Sequence, residues 1–470
     1  MHSSSLRGSA PARSLSSLVG VPGAAKALNR PISAVPVPLH GIAEGCEHLA
    51  ATPLPTIRPR GRCRGQPRGF LLVCLAVACE RWAAYVLLSS VVLMLCERYG
   101  HSQADSLRLA GLMNAASYLG TMPGGLLADK ALGHRRALLI STLLLALGYA
   151  LLTLAAPWAL WLSLTFLVLG GALFKPSTQA MITLVFPEGD PRLEAAQVRF
   201  YIALNAGAAI GSILSGLAVR YVGWGAAFFM AAAAMLAACG LLAVYWHSLP
   251  PGEPRRSGKT SPDADSLSPR RRTILIGALM LAMLLYVLCY GQVEGSLVLW
   301  AQNRTQRVIH GFEVPAAWFV ALPALLVVVL GGGQLAVLDR LKRRIGTYRL
   351  VAAGLGVVSL AFVALIPAAL ATGDKRVSML WLVACLTLMV VGELLIAPLG
   401  LALVLRLAPA RFVGLVAGGW YIWLALGYWL AGEVGAMWAR SSPMAGVAFL
   451  AILPLVGAFL MCLITARRFH

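Results

Sequence analysis

The sequence predicts an all-α membrane protein in which about twelve transmembrane helices form two six-helix bundles. Three observations carry that expectation. The 470 residues are 59% hydrophobic with a mean hydropathy of +0.78, and only 12% are charged, about half the share of a soluble domain. Apolar runs near twenty residues recur from Phe70 to the C-terminus, each long enough to cross ~30 Å of hydrocarbon as a helix. The runs are continuous instead of alternating apolar and polar, which argues against barrel strands.

In order, the spans fall at about 70–95, 107–128, 137–155, 159–183, 195–219, 225–246, 274–300, 316–338, 348–371, 378–405, 412–438 and 445–466. Residues 1–68 precede them and differ in kind: rich in Ser, Ala, Pro and Arg, almost free of acids, with no run of spanning length. The expectation there is a disordered basic cytoplasmic tail, with an organelle transit peptide or an early start codon as alternatives; a secretory signal does not fit. The longest polar interruption, "HSLPPGEPRRSGKTSPDADSLSPRRR", follows the sixth span and divides the spans six and six. Its Pro/Ser/Arg content reads as a flexible linker, 248–272, between a bundle at 69–247 and a second at 273–470. Two six-helix halves joined by a basic loop are the layout of the major facilitator fold. The loop after the second span, "GGLLADKALGHRRA", resembles the facilitator signature of Gly, Asp and a basic tail. Gly124 and Gly125 allow close helix approach, and Asp129 reads as a gating-loop residue able to meet helix N-terminal amides or a partner Arg.

The net charge of +21 raises nucleic acid as a partner, but its distribution argues against it. Basic residues cluster in "RPRGRCRGQPRG", "ADKALGHRRA", "GEPRRSGK" with "SPRRRT", and "DRLKRRIGTYR", all on one side if the spans alternate. The connections on the other side, such as "AAPWA" and "ARSSPM", carry few. That asymmetry places the basic loops in the cytoplasm against anionic lipid, and an even span count puts both termini there too. A bacterial inner (plasma) membrane fits the tight loops and the Ala/Gly/Arg content. The nine cysteines form no CxxC pair, and Cys74, Cys79, Cys239, Cys289, Cys385 and Cys462 lie in apolar runs. Neither a disulfide framework, a structural metal nor a cofactor is expected. No catalytic constellation or phosphate-cradling loop occurs in the spans, so an enzyme is not expected.

An ionisable group at mid-membrane costs roughly 2.5–3.5 kcal/mol on insertion scales and marks a functional site by default. The candidates are Glu80, Arg81, Lys175, Glu294 and Glu393, with Arg199 nearer a span end. Lys175 in "GGALFKPSTQA" and Glu393 in "VVGELLIAPLG" share an arrangement of Gly before and Pro after. Cations (Arg81, Lys175) in the first half face carboxylates (Glu294, Glu393) in the second. Ion pairs across the halves can then close a central cavity that opens when a proton neutralises one carboxylate.

These residues resemble a family. "ERWAAYVLL" is similar to the later part of the ExxERFxYYG motif of proton-dependent oligopeptide transporters. "GGALFKPSTQAMITLVFPEGDPRLEAAQVRFYIALNAGAAIG", "GFEVPAAWF" and "GELLIAPLGLALVLRLAPARFVGL" resemble that family's fourth and fifth, eighth and tenth helices, in order, across everything but the tail. The resemblance implies a proton-coupling cluster of Glu80 and Arg81, with Lys175 as the cation engaging its carboxylates. It implies a substrate cavity lined by Tyr85, Tyr118 and Asn205, with Glu393 for the substrate's amino end and inward gating. Trp420 falls where the family has an aromatic residue on its eleventh helix.

The departures are equally specific. Val77 replaces the motif's first Glu, Ala84 its first Tyr, and Leu88 the first-helix Arg that faces a peptide carboxylate. In "CYGQVEGSLVLWA", similar to FEQQGSSL, Gly291 stands where a Glu is expected. Glu294 lies three residues on and, on a continuous helix, about 60° round the same face, so it is the candidate substitute in the proton site. Pro323 replaces an eighth-helix Asn, and Arg199 is an extra cation. The expectation is a secondary active transporter, a proton-coupled symporter of peptides or peptide-like small molecules working by alternating access. The alternatives are an uncoupled facilitator or exchanger for another small solute, motivated by Val77 and Gly291, and a non-transporting membrane receptor.

Overall fold

A computed structural model describes residues 67–186, 190, 192–251, 268–371, 376–409 and 413–466. The expected tail (1–68) lies outside these residues apart from Pro67 and Arg68, as does most of the expected linker. The first span is two helices, α1 (Arg68–Leu88) and α2 (Val91–Glu97). At the break between them, the hydroxyls of Ser90 and Ser215 both donate to the Val86 carbonyl, at 2.6 and 3.0 Å, satisfying backbone the interrupted ladder leaves free. The second span comprises α3 (Gln103–Leu119) and α4 (Thr121–Leu127), the latter running into a π-helical turn, Ala128–Leu132. Ser102 caps α3 by accepting from the Asp105 amide at 3.1 Å. The first bundle continues with α5 (His134–Leu152), α6 (Pro157–Val185), α7 (Arg192–Tyr221) and α8 (Trp224–Val244).

The seventh span departs from expectation. It is α9 (Pro269–Tyr290) and α10 (Ser296–Arg304), separated by a non-helical turn at 291–295 that carries Glu294. Reaching Glu294 by 60° of helix rotation from Gly291 is therefore incorrect: the helix ends between them. Two-residue strands follow: β1 (Thr305–Gln306), β2 (Val308–Ile309) and β3 (Phe312–Glu313), with β2 and β3 antiparallel. The second bundle is completed by α11 (Ala317–Ile345), α12 (Thr347–Val363), α13 (Ile366–Ala371), strand β4 (Val377–Ser378), which pairs parallel with β1, and α14 (Met379–Leu407), α15 (Val413–Arg440) and α16 (Pro443–Ala466).

Each half has its own apolar core. Phe174, Phe228, Met181 and Met235 are fully buried in the first, and Leu355, Phe362, Cys385 and Met389 in the second. Among the described residues nine helical segments are long and apolar enough to cross a membrane. The second, eighth and eleventh expected spans fall outside these nine, the second because it is more polar. They are helices through which the bundles meet, α3 packing on α15 and α7 on α11.

Those meeting points lie mostly at the face opposite the basic loops. Arg108 reaches Glu433 at 3.1 Å, and the Trp318 indole donates to the Ile213 carbonyl at 3.0 Å. Arg220 donates to the Glu313 carbonyl and stacks over Phe312, 5.0 Å from its centroid. On the basic face, α6 and α14 share no packed interface among the described residues. The opposite face holds more arginines than expected, and several are engaged: Arg98 donates to the Leu152 and Thr153 carbonyls at 2.7 and 2.9 Å, and buried Arg307 pairs with Glu313 at 2.7 Å.

The α3–α15 crossing depends on glycine. A Cβ on Gly111 would sit 2.7 Å from the Gly432 Cα and 2.8 Å from the Tyr428 carbonyl oxygen, so no side chain fits without parting the helices. Gly111→Ala is expected to lower the thermal midpoint by the equivalent of about 1–3 kcal/mol of overpacking. Gly240→Ala, with nothing within 4 Å of the added carbon, serves as the near-neutral control. Equal midpoints for the two variants would show that this crossing is not close-packed.

Candidate functional site

The first-bundle charges converge on a cavity of about 90 Å³, room for several waters. Its lining includes Glu80, Arg81 and Tyr85 from α1, Asn114, Ser117 and Tyr118 from α3, Lys175 from α6, and, from the second bundle, Glu294 and Tyr428. Six of the sequence-predicted site residues are thus brought together: Glu80, Arg81, Tyr85, Tyr118, Lys175 and Glu294.

The charges are satisfied in three ways. Arg81 grips its neighbour Glu80 with two parallel bonds, Nε to one carboxylate oxygen and Nη2 to the other, so each brings its own countercharge into the membrane. Among the described residues Lys175 has no acid partner. Its ammonium donates to the Ser117 hydroxyl at 2.8 Å and lies 4.1 Å from the centre of the Tyr118 ring. Tyr118 in turn stacks on Tyr428 across the bundle interface, centroids 5.1 Å apart at 11°. Glu294, 6% exposed, is met by neutral donors: the Asn114 amide at 3.4 Å and the Tyr85 hydroxyl within hydrogen-bonding reach.

The expected ion pairs between halves are absent here. Among the described residues neither Arg81 nor Lys175 forms a salt bridge with Glu294 or Glu393, and Lys175 contacts Ser117 instead of the cluster's carboxylates. The reason is geometric: Glu80 occupies Arg81, while Ser117 and Tyr118 hold the ammonium on the first-bundle side.

Glu393 sits outside the lining of this cavity, on α14. The phenols of Tyr201 (α7) and Tyr290 (α9) lie within reach of its carboxylate, and its Oε2 is buried without a partner. Asn205 supports this second cluster indirectly, its amide donating to the Tyr201 carbonyl at 2.9 Å. Trp420 is 4% exposed and packs in the second bundle's core, its ring 2.6 Å from where a Cβ on Gly400 would stand, so it does not line the cavity. Among the described residues Asp129, in the π-helical turn, pairs with neither an Arg nor helix amides. Its carboxylate meets His134 Nε2 at 2.8 Å, and that imidazole is buried at the first position of α5.

The departures also find places. Val77 is buried in the first bundle's core, Ala84 and Leu88 line the cavity as apolar surface, Pro323 is inside α11, and Arg199 is exposed on α7. Gly291 has no room for a side chain: a Cβ there would lie 2.7 Å from the Ala431 methyl. Gln292 fixes the turn, donating to the Leu288 and Ala431 carbonyls at 3.2 and 2.9 Å and accepting from the Ser296 hydroxyl at 2.7 Å. Asn114, Ser117, Tyr201, Tyr290, Gln292 and Tyr428 were not singled out from sequence. A signal existed for two of them: Asn114 and Ser117 put polar groups on the same face as Tyr118 in an otherwise apolar span, at helical spacing.

Two helical bundles enclosing a charged, membrane-embedded cavity define a transporter of the two-bundle class. The chain belongs to the Major Facilitator Superfamily, whose model matches residues 73–432. Among curated proteins it is similar to dipeptide and tripeptide permease A of Erwinia pyrifoliae, 28% identical over 432 residues (80% of this chain, 86% of the relative). The Escherichia coli K12 permease of the same description is 27% identical over 426 residues (80% and 85%). Among solved structures, a peptide transporter POT mutant in complex with sulfate superimposes with a TM-score of 0.80 at 22% identity, covering 87% of this chain and 96% of that one. A POT family transporter in complex with 5-aminolevulinic acid gives 0.76 at 18% identity, covering 86% and 97%. These matches bear out the resemblance to proton-dependent oligopeptide transporters read from the motifs.

The position of Trp420 has a direct test. Trp420→Ala is expected to lower the thermal midpoint as a core deletion of about 3–5 kcal/mol does. Transport per folded molecule should keep its apparent substrate affinity, measured as the concentration dependence of uptake. An affinity loss without a stability loss would return Trp420 to the substrate site.

Proposed function

We propose that the protein is a secondary active transporter that couples proton movement to the passage of peptides or peptide-like small molecules by alternating access. One observation supports this above the others: Glu294, a second-bundle carboxylate, is buried in a cavity otherwise built almost wholly by the first bundle, opposite the acid-free ammonium of Lys175.

The electrostatics follow from counting charge. Arg81 and Lys175 against Glu80 and Glu294 make the cavity neutral when both carboxylates are ionised. A proton on Glu294 leaves an excess positive charge that hydrocarbon tolerates poorly, and a substrate carboxylate beside Lys175 restores neutrality. Proton and substrate therefore favour each other's binding, and losing the proton to the other side weakens the hold on the substrate. Movement of the bundles strengthens the link, because Glu294 takes its donors, Asn114 and Tyr85, from the opposite half.

The basic-loop face, and with it both termini, is assigned to the cytoplasm of a bacterial inner membrane on the positive-inside asymmetry. The described state is then closed to the outside. Leu88 in the cavity wall removes a cation from the carboxylate side, so Lys175 is left to receive a substrate's acid end and the wall beside it suits apolar side chains. Peptide-like molecules with one carboxylate fit this better than substrates with two acid groups. A second, uncoupled reading rests on Val77, packed in the core with no carboxylate to titrate.

Proteoliposomes with an imposed pH gradient separate the readings. Di- and tripeptide accumulation is expected in the wild type and is expected to fall to background in Lys175→Ala and Glu294→Gln, with both variants inserted and folded. Glu294→Gln, locked in the neutral form, should keep counterflow exchange. Gradient-driven accumulation by either variant at the wild-type level would defeat proton coupling through this cavity. Exchange without accumulation in the wild type would establish the uncoupled reading.

A further inference from the structure

The crossing of α3 on α15, at the face opposite the basic loops, carries two voids besides the charged cavity. The walls of the outer one, of about 80 Å³, include Gln103 and Leu107 on α3, Ser296, Asn303 and Arg304 on α10, and Gly435 on α15. Gln103 and Asn303 are exposed, so this void opens to solvent. The inner one, of about 20 Å³, has room for one water, and its walls include Leu107, Gly111, Asn114, Glu294, Gly295 and Gly432. Leu107 borders both voids, while Asn114 and Glu294 border both the inner void and the charged cavity. Solvent, outer void, inner void and cavity therefore follow in succession, interrupted at Leu107.

The sequence lays this line down on two facing helices. Leu107, Gly111 and Asn114 share one face of α3 at helical spacing, spanning about 10 Å at 1.5 Å per residue. Gly435, Gly432 and Tyr428 do the same on α15. What separates the voids is one methyl group: Leu107 Cδ2 lies 3.1 Å from where a Cβ on Gly295 would stand and 3.4 Å from where one on Gly435 would stand. Polar groups are fixed beside the narrowing, the Ser296 hydroxyl donating to the Gln292 side-chain oxygen at 2.7 Å. The charges around the mouth, Arg108, Arg304 and Arg440 against Asp105 and Glu433, nearly cancel. Arg81 and Lys175 lie on the cavity side of Glu294.

We infer that the α3–α15 seam is a proton entrance to Glu294 from the face opposite the basic loops, separate from the substrate's route and stopped by Leu107 in the described state. The inference rests on the proposed role of Glu294 as the proton-carrying carboxylate. Displacing one leucine side chain joins the voids without parting the bundles, and an opening of that width passes single-file water and excludes a peptide. A hydronium reaching the inner void gives its proton to the Glu294 carboxylate, leaving water and a neutral acid, and the acid later releases that proton on the cavity side. An apolar constriction of this kind interrupts the water file when closed, so the resting seam does not leak protons.

Proteoliposomes holding the full-length protein and a pH-sensitive dye, given a pH gradient and no substrate, read proton entry directly. Leu107→Ala removes the methyl groups at the narrowing and is expected to raise proton flux several-fold over the wild type. Combining it with Glu294→Gln is expected to return the flux to the wild-type level. Leu138→Ala, the same deletion in the buried core on α5, controls for loosened packing and is expected to leave the flux unchanged. Leu107→Val, which removes less of the side chain, carries the test with a smaller rise if the alanine variant does not insert. Wild-type flux in the inserted Leu107 variants, a raised flux that survives Glu294→Gln, or an equal rise in Leu138→Ala would each overturn the entrance. Failure of coupling itself reads differently, because Glu294→Gln alone would then accumulate substrate at the wild-type level.

Discussion

An ionised group in hydrocarbon needs a countercharge or a set of donors, and where those come from determines how this protein can move. Glu80 and Arg81 answer each other within one helix, so their pairing is indifferent to the position of the other bundle. Glu294 and Glu393 differ. Both belong to the second bundle, and each takes hydrogen-bond donors from the first: Asn114 and Tyr85 for one, Tyr201 for the other. Any motion that parts the bundles strips these carboxylates of donors while they remain in a low-dielectric setting. An unsatisfied carboxylate under those conditions favours its neutral form. Under the proposed function, hydrogen bonds to neutral groups tie conformation to protonation, with no need for an ion pair across the interface.

The helix breaks serve the same requirement. A continuous seventh span would leave Glu294 at the mercy of helical phase, three residues from a position where Gly291 already touches Ala431. Ending α9 at Tyr290 frees the chain to carry Glu294 into the first-bundle cavity, and Gln292 absorbs the exposed polarity by bonding Leu288, Ala431 and Ser296. The first span handles its own break with Ser90 and Ser215. In both places irregular backbone is tolerated at membrane depth because side chains replace the missing ladder.

This division explains what the sequence disclosed. The spans were legible because hydrocarbon thickness imposes a length and an apolar content on each. The site charges were legible because they violate that content: Glu80, Arg81, Lys175 and Glu294 stand out against their surroundings, and all four line one cavity. The partners of Lys175 and Glu294 were not legible, since Ser117 lies 58 residues from the one and Asn114 180 from the other. Opposite signs in opposite halves suggested ion pairs; the folded chain satisfies Lys175 with a hydroxyl and a ring, which no charge pattern announces. Trp420 shows the converse limit, because a large aromatic near the expected register of a cavity fills a core equally well. Asp129 shows a local one: its partner His134 was visible in the same loop but was passed over for an arginine.

The closed face raises a question of strength. The one salt bridge joining the bundles among the described residues, Arg108 to Glu433, is 39% and 36% exposed at its two side chains, and exposed pairs contribute about 0–1 kcal/mol. The indole bond from Trp318 to Ile213 adds a contribution of similar order, about 1 kcal/mol. Neither holds a membrane protein shut by itself. The closure rests mainly on the packing of α3 on α15, closest at Gly111 and Gly432, and of α7 on α11, dispersion that is lost over a small separation and carries no charge. A gate of that kind opens with little regard to salt or pH on its own side. On the proposed mechanism, control then passes to the interior, where the donors of Glu294 and the contacts of Lys175 respond to a proton and to a substrate's acid group. On that proposal the gate opposite the basic loops can be weak and neutral, because the sensitivity lies in the cavity.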